Sequence, residues 1–246
     1  MSTAPGLLGK TLRSLRHARP AWPRPCAVCG GWSPTTLCRA CLQRFAPERP
    51  RCTVCALPTA QGGVCGGCLQ APPAFVATAA AVDYGFPWDR LIGAFKFQQQ
   101  PEWATALAGL IDTAVVRHAT LPDAQCVLPV PLSRERLAER GYNQAWELAR
   151  RLAARRGLPA GAGWLLRLRD TPHQVGTGRA ERLRNLRAAM WVTPEGAAAL
   201  RGRHVALVDD VLTTGATAQA ASLALHAAGA ASVQLWVLAR TPAPDA

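Results

Sequence analysis

Eight of the nine cysteines fall into four Cys-x-x-Cys pairs: Cys26/Cys29, Cys38/Cys41, Cys52/Cys55 and Cys65/Cys68. A two-residue spacer lets one tight turn aim both sulfurs at a single cation, and two such turns complete a tetrahedron. Four pairs therefore imply two metal sites of four cysteines each, with structural zinc as the expected ion. A disulfide framework belongs to exported domains, and Met1 to Pro20 lacks the continuous apolar stretch of a secretory signal. An iron–sulfur cluster is the less natural fit to even pairing. Sequential use of the pairs, the first two and then the last two, is expected over interleaved use, although spacing leaves both open. Residues 26–68 hold few large apolar side chains, so metal is expected to supply much of their folding energy. The ninth cysteine, Cys126, sits in the apolar run Cys126–Pro131 and reads as a buried core residue.

The charge is uneven. The chain carries a net +13, of which residues 1–72 contribute +8, with Glu48 as their one acidic residue. A basic N-terminal third favours an anionic partner such as DNA, RNA or acidic lipid. Each four-thiolate zinc site formally carries about −2, which offsets about half of that local excess. Leu7, Leu8, Leu12 and Leu15, alternating with Lys10, Arg13, Arg16 and Arg19, predict a short basic amphipathic helix, expected to pack on its own domain. No apolar run approaches the roughly 20 residues that cross a bilayer. The expected setting is therefore the cytoplasm.

Three regions follow: a basic segment over 1–24, a double zinc ribbon over 25–70, and a larger unit over 74–246. Leu69–Ala74 marks the last boundary, since Pro72 and Pro73 continue neither helix nor ladder. Beyond it, strands are expected at Phe75–Tyr84, Cys126–Val130, Trp164–Leu168, His204–Asp209 and Ser232–Ala239. Helices are expected at Trp88–Phe97, Pro101–His118, Asn143–Arg156 and Ala216–Ala228, the last ended by Gly229. This alternation predicts an α/β fold: a mostly parallel sheet with helices on both faces. Ligands in such sheets bind beyond the carboxyl ends of the strands.

At one of those ends the apolar run Arg203–Val208 meets Asp209 and Asp210, then Val211 and Leu212, then the turn Thr213-Thr214-Gly215-Ala216-Thr217 that opens a helix. Gly215 permits close backbone approach. Free N–H groups at the helix start, with the hydroxyls of Thr213, Thr214 and Thr217, make a cradle for a phosphate. Two adjacent carboxylates repel that anion but suit ribose hydroxyls or a nearby Mg²⁺. The combination fits a phosphorylated sugar. Neither a G-x-x-x-x-G-K-[ST] loop nor a strand-linked G-x-G-x-x-G is present, so nucleoside triphosphate and dinucleotide sites are poorly supported.

Val205–Thr217 resembles the 5-phosphoribosyl-1-pyrophosphate (PRPP) signature of type I phosphoribosyltransferases. Three further segments narrow the likeness: Leu128–Ser133, Arg140-Gly-Tyr-Asn-Gln-Ala145, and Arg169–Gln174 with Arg179 and Glu181–Asn185. With the cysteine-rich N-terminus, they are similar to the ComF family, associated with competence for DNA uptake. The resemblance implies a type I phosphoribosyltransferase-like sheet and PRPP bound with Mg²⁺. It makes Asp209 and Asp210 the ribose-orienting, catalytic pair. Val130, Pro131, Leu132 and Ser133 would form the pyrophosphate loop, with Lys96 and Arg140 neutralising its charge. A loop near Asp170–Glu181 would close over the site, bringing Arg169, Arg179 and Arg182. An acceptor-binding hood is expected from about residues 74–125. The implied reaction is displacement at the anomeric carbon of PRPP. The acceptor is not named, and a non-catalytic zinc-ribbon DNA-binding protein or a PRPP-sensing regulator stays open beside the transferase. The implied partners are PRPP, single-stranded DNA, and competence or recombination proteins.

Overall fold

The computed structural model describes residues 22–97, 101–118, 120–168 and 190–243. The basic helix expected within residues 1–20, and the expected closing loop with Arg169, Arg179 and Arg182, lie outside the described residues.

The N-terminal unit is organised by its cysteines. Two short strands, β1 (Arg24–Pro25) and β2 (Trp32–Ser33), pair antiparallel around the first knuckle. The turn closes through Gly30, whose φ of 71° and N–H bond to Cys26 O (2.9 Å) suit a residue without a Cβ. Helix α1 (Arg39–Phe45) is capped by Cys38, whose sulfur accepts from Cys41 N. Helix α2 (Gly66–Gln70) starts after Cys65.

Beyond the ribbons, strand β3 (Ala77–Asp83) leads to helices α3 (Trp88–Phe97) and, after a single 3₁₀ turn, α4 (Ala104–Arg117). Strand β4 (Cys126–Pro129) is followed by α5 (Arg134–Arg140) and α6 (Gln144–Arg156). Strands β5 (Leu165–Arg167) and β6 (Met190–Val192) precede α7 (Pro194–Leu200), β7 (His204–Leu212), α8 (Ala216–Ala227) and β8 (Ser232–Arg240). The main sheet has the order β3-β8-β7-β4, all parallel. Its central strand β8 is buried at every position, as expected of a parallel strand covered on both faces.

Side-chain alternation sorts the core into two layers. Val127, Ala206, Val208, Trp236 and Leu238 pack with α3, α4 and α6. Leu128, Val205, Leu207, Leu235 and Val237 pack with α8, Leu165, Met190 and Leu200. The zinc ribbons contribute to both layers: Leu37 is buried in the first and Ala56 in the second. Thr78 of β3 fixes the second ribbon, donating through its amide to Thr53 O (3.0 Å) and through its hydroxyl to Val54 O (2.5 Å).

Three expectations differ from the structure. The strand expected at Trp164–Leu168 is not part of the parallel sheet; β5 pairs antiparallel with β6 in a separate ribbon. After α6 the chain makes a single bridge to β4 at Ala160, where Pro159 O accepts from Val127 N (2.9 Å) and Gly161 N donates to Val127 O (3.2 Å), and Pro159 has no N–H to extend the ladder. Strand β7 runs on to Leu212, so Asp209 and Asp210 lie within it rather than after it. Finally, α5 and α7 were not expected, although both carry readable signals. Ser133 caps α5 and Gly141 ends it at φ 76°, and Thr193 with Pro194 opens α7.

Candidate functional site

The eight paired cysteines gather into two clusters, Cys26/Cys29/Cys38/Cys41 and Cys52/Cys55/Cys65/Cys68, each with its sulfurs within 4.8 Å of one another. This is the sequential pairing. A tetrahedron with Zn–S bonds of about 2.3 Å places its sulfurs about 3.8 Å apart. Cys29 and Cys38 are separated by 3.8 Å, and Cys55 and Cys65 by 3.6 Å, far beyond a disulfide bond of about 2.05 Å. The residues therefore fit structural zinc. Both clusters share one backbone pattern: Cys38 N points to Cys26 Sγ (3.3 Å) and Cys65 N to Cys52 Sγ (3.3 Å). Burial raises the Cys26 and Cys52 thiols, but backbone N–H donors outweigh it and pull them to about 6 and about 7. Burial and the neighbouring cysteines push Cys41 and Cys68 the other way. A divalent cation resolves that conflict by stabilising four thiolates at once. Cys126 is fully buried, and burial pushes its thiol up to about 11, as suits an inert core residue.

The second group of candidate residues lies at the carboxyl edge of the parallel sheet. Asp210 is buried in β7 and its carboxylate meets Lys96 Nζ, from the end of α3, at 3.1 Å. Asp209 is partly exposed and turns its Oδ1 back to accept from Asp210 N (2.8 Å). Burial and then the Asp210 charge raise the Asp209 carboxyl to about 8, against the pull of Asp210 N–H, Lys96 and Arg140. After Leu212 the chain exposes Thr213 and Thr214 and enters α8 through Gly215, whose φ of 81° lies in the left-handed region. The Thr214 hydroxyl accepts from Ala216 N (3.4 Å). The next first-turn N–H groups, of Thr217 and Ala218, have no partner inside the helix by its geometry.

Residues Val130–Ser133 lie beside this turn, on the neighbouring strand's exit. Val130 N donates to Val208 O (2.8 Å), and Asn143 Nδ2 donates to Val130 O (3.1 Å). Pro131 has no N–H, so at most Leu132 and Ser133 can offer backbone donors to an anion. The Ser133 hydroxyl is itself engaged as the cap of α5, accepting from Arg136 N (3.3 Å). Arg140, at the end of α5, donates to Gln144 Oε1 (3.1 Å) and stacks 5.0 Å over the exposed Phe97 ring. Gln144 in turn donates to Lys96 O (3.3 Å), and the Tyr142 hydroxyl to Phe95 O. Lys96, Arg140, Asp209 and Asp210 thus form one assembly around the β7 exit.

Sequence reasoning missed the residue that braces this turn from behind. Arg240, the last residue of β8, is buried; its Nη1 donates to Leu212 O (3.0 Å) and Thr213 O (2.6 Å), and its Nε to Cys55 O (2.9 Å). A charged residue closing an otherwise apolar strand was the available signal. Gln144 and Asn143 were within a quoted motif, but their hydrogen bonds depend on tertiary placement. A cavity of about 260 Å³ lies elsewhere, between the Ala46–Thr53 linker, β3 and α4. Its arginines are already paired, Arg49 and Arg51 with Asp83, and Arg117 with Glu48, so it is a weaker candidate for an anion.

A double zinc ribbon joined to a parallel sheet flanked by helices defines a two-part α/β protein with an added cysteine-rich unit. A profile of the double zinc ribbon domain matches residues 19–69. The chain is 34% identical over 211 residues to the DNA utilization protein YhgH of Salmonella typhimurium, covering 83% of this chain and 90% of that one. It is 30% identical to competence protein ComFC of Bacillus subtilis, over 83% of this chain and 82% of the relative. The chain belongs to the ComF family. Among solved structures, a glutamine PRPP amidotransferase from B. subtilis aligns with 55% of this chain and 26% of its own, at 18% identity and a TM-score of 0.38. No helix among the described residues is long and apolar enough to cross a membrane.

The clusters generate a stoichiometric prediction. Native mass spectrometry should find two zinc ions per chain. Cys26→Ser/Cys41→Ser should retain about one and Cys26→Ser/Cys52→Ser none, whereas interleaved sites would lose both in the first variant. Asp209 generates a second. Its folded carboxyl holds a proton that the unfolded one, near 3.9, releases. Ligand-free stability should therefore fall as pH rises from about 4 through about 8. Asp209→Asn removes this effect, so its melting temperature should exceed the wild type's at pH 8.5 by about 2–4 °C, on the order of 1 kcal/mol. The gap should vanish toward pH 4. A gap that stays constant or shrinks with rising pH, followed by scanning calorimetry, contradicts the assignment.

Proposed function

We propose that the carboxyl edge of the sheet binds PRPP with Mg²⁺, and that the protein uses this site while handling DNA in the cytoplasm during uptake. The carrying observation is the continuous run from Asp209 and Asp210 of β7 into Thr213, Thr214, Gly215, Ala216 and Thr217 at the start of α8. The turn offers N–H and hydroxyl donors to the 5-phosphate. The two carboxylates accept from the ribose hydroxyls and support the cation. Lys96 and Arg140 supply positive charge on the side of Val130, Pro131, Leu132 and Ser133, where pyrophosphate would lie, and Arg169 and Arg179 are assigned to the same anion. Lys96 is held by Asp210 in the ligand-free protein; Mg²⁺ and ligand would redistribute that pair.

If the site is catalytic, it breaks the bond from the anomeric carbon to pyrophosphate by positioning and electrostatic stabilisation. The names of the relatives, a DNA utilization protein and a competence protein, support the cellular role and name no acceptor.

Single-stranded DNA is the proposed macromolecular partner. Trp22 and Trp32 are 89% and 78% exposed on the zinc unit, which also exposes Arg24, Arg39 and Arg44. Exposed rings among cations suit stacked bases and phosphates.

Calorimetry should detect Mg²⁺-dependent PRPP binding to the wild type, weakened at least tenfold in Asp209→Asn/Asp210→Asn. Equal affinity in that variant would sink the site. Single-stranded DNA should bind with strong salt dependence, survive Asp209→Asn, and weaken about tenfold in Trp22→Ala/Trp32→Ala. No binding at low salt would exclude DNA as a direct partner.

A further inference from the structure

We infer that Arg240 is a positioning residue linking the second zinc cluster to the Leu212–Thr217 turn, so that metal at Cys52, Cys55, Cys65 and Cys68 stabilises the ligand-ready form of that turn. The inference depends on the phosphate reading only for the identity of the ligand, since the structural linkage stands without it.

One guanidinium makes both contacts. Nε donates to Cys55 O at 2.9 Å. Nη1 donates to Leu212 O at 3.0 Å, Thr213 O at 2.6 Å and Thr241 O at 2.8 Å. A guanidinium is a rigid plane with its donors at fixed positions. It therefore ties the separation of the Cys55 and Thr213 carbonyls to a single arrangement. On one side the bonded residue is itself a metal ligand. On the other it directly precedes Thr214 and Gly215, where the chain turns into α8. Arg240 is 7% exposed, so a carbonyl that leaves it is not readily replaced by water, and a buried donor left unpaired is costly.

The Cys52/Cys55 knuckle has its own reason to depend on metal. Cys55 is followed by Ala56, which is fully buried at φ 58°. The first knuckle has Gly30 at the equivalent turn, at φ 71°. An alanine in the left-handed region is strained by about 1 kcal/mol or more, and its methyl is held in the core layer that also contains Phe75 and Leu212. The ring of Phe75 in turn lies about 4.0 Å from where a Cβ on Gly215 would sit. Metal ligation by Cys52 and Cys55 holds the strained turn in place, and the same layer backs the phosphate turn. Among the described residues the first cluster has no such bridge. It meets the larger unit through Leu37 and through Trp88 Nε1 donating to Phe45 O (2.7 Å), on the opposite core layer.

The full-length chain tests this by hydrogen exchange without ligand. In Cys65→Ser/Cys68→Ser, amides of the 212–217 segment should exchange about tenfold faster, while Cys29→Ser/Cys38→Ser leaves them unchanged. Arg240→Lys keeps a charge but loses the fork; it should keep two zinc ions and still show the faster exchange. Unchanged exchange in Arg240→Lys overturns the inference, as does an equal response to the two cluster variants or acceleration spread evenly through β7 and β8. Reciprocity adds a second readout. Ribose 5-phosphate should raise the affinity for one of the two zinc ions about tenfold, read by equilibrium competition with a chromogenic chelator, in the wild type and not in Arg240→Lys. If ribose 5-phosphate fails to bind the wild type, the phosphate reading fails while the exchange result still decides the linkage.

Discussion

The ladder between β7 and β8 is the constraint on which the site depends. It runs in one register from His204↔Ser232 to Leu212↔Arg240, and β3 and β4 extend it in the same direction. Because all four strands are parallel, their carboxyl ends fall on one edge. Asp209, Asp210, Val130, Asp83 and Arg240 are brought there from distant parts of the chain. A strand buried on both faces must satisfy its backbone groups within the sheet, and a slip of β8 by one residue would swap Trp236 and Leu238 into the opposite core layer. Site geometry is thereby fixed by core packing before any local interaction contributes.

The two faces then supply different chemistry to that edge. The α3/α6 layer delivers cations: Lys96 at the end of α3, and Arg140 held against Gln144 of α6. The other layer delivers the start of α8, with N–H groups directed at the edge. Between them Asp209 carries a carboxyl that burial and Asp210 make hard to ionise. That is a poor arrangement for stability alone. A local cost of this kind is common at binding sites and is in keeping with the proposed one.

Much of this was legible in the sequence. Helix α3 has the bounds that apolar spacing predicts, Trp88–Phe97, because its buried Trp88, Leu91, Ile92 and Phe95 recur at helical period. The metal clusters were legible because a Cys-x-x-Cys turn is a local device whose geometry needs little tertiary context. The placement of the Leu165–Arg167 strand was not: three residues look alike in a parallel sheet or a separate ribbon, and its partner, Met190–Val192, is not encoded locally. Helix α5 has no buried residue, so it lacks the apolar stripe that betrays a helix, leaving only its caps. Arg240 was hidden for a different reason. Its partners, Cys55 and Leu212, are 185 and 28 residues away in sequence, and no local pattern encodes them.

The placement of Arg240 also bears on the basic charge of the chain. Its hydrogen bonds among the described residues are to carbonyls and one hydroxyl rather than to a carboxylate. Asp83, its register neighbour on β3, is already engaged by Arg49 and Arg51. A buried cation needs compensating negative potential, and neutral carbonyls supply only part of it. Four thiolates around one Zn²⁺ carry about −2 formally, and Cys55, one of those ligands, is the residue whose carbonyl Arg240 holds. With zinc bound, the cluster would be more than a fold staple, since it would supply counter-charge to a buried arginine whose hydrogen bonds go to carbonyls and a hydroxyl.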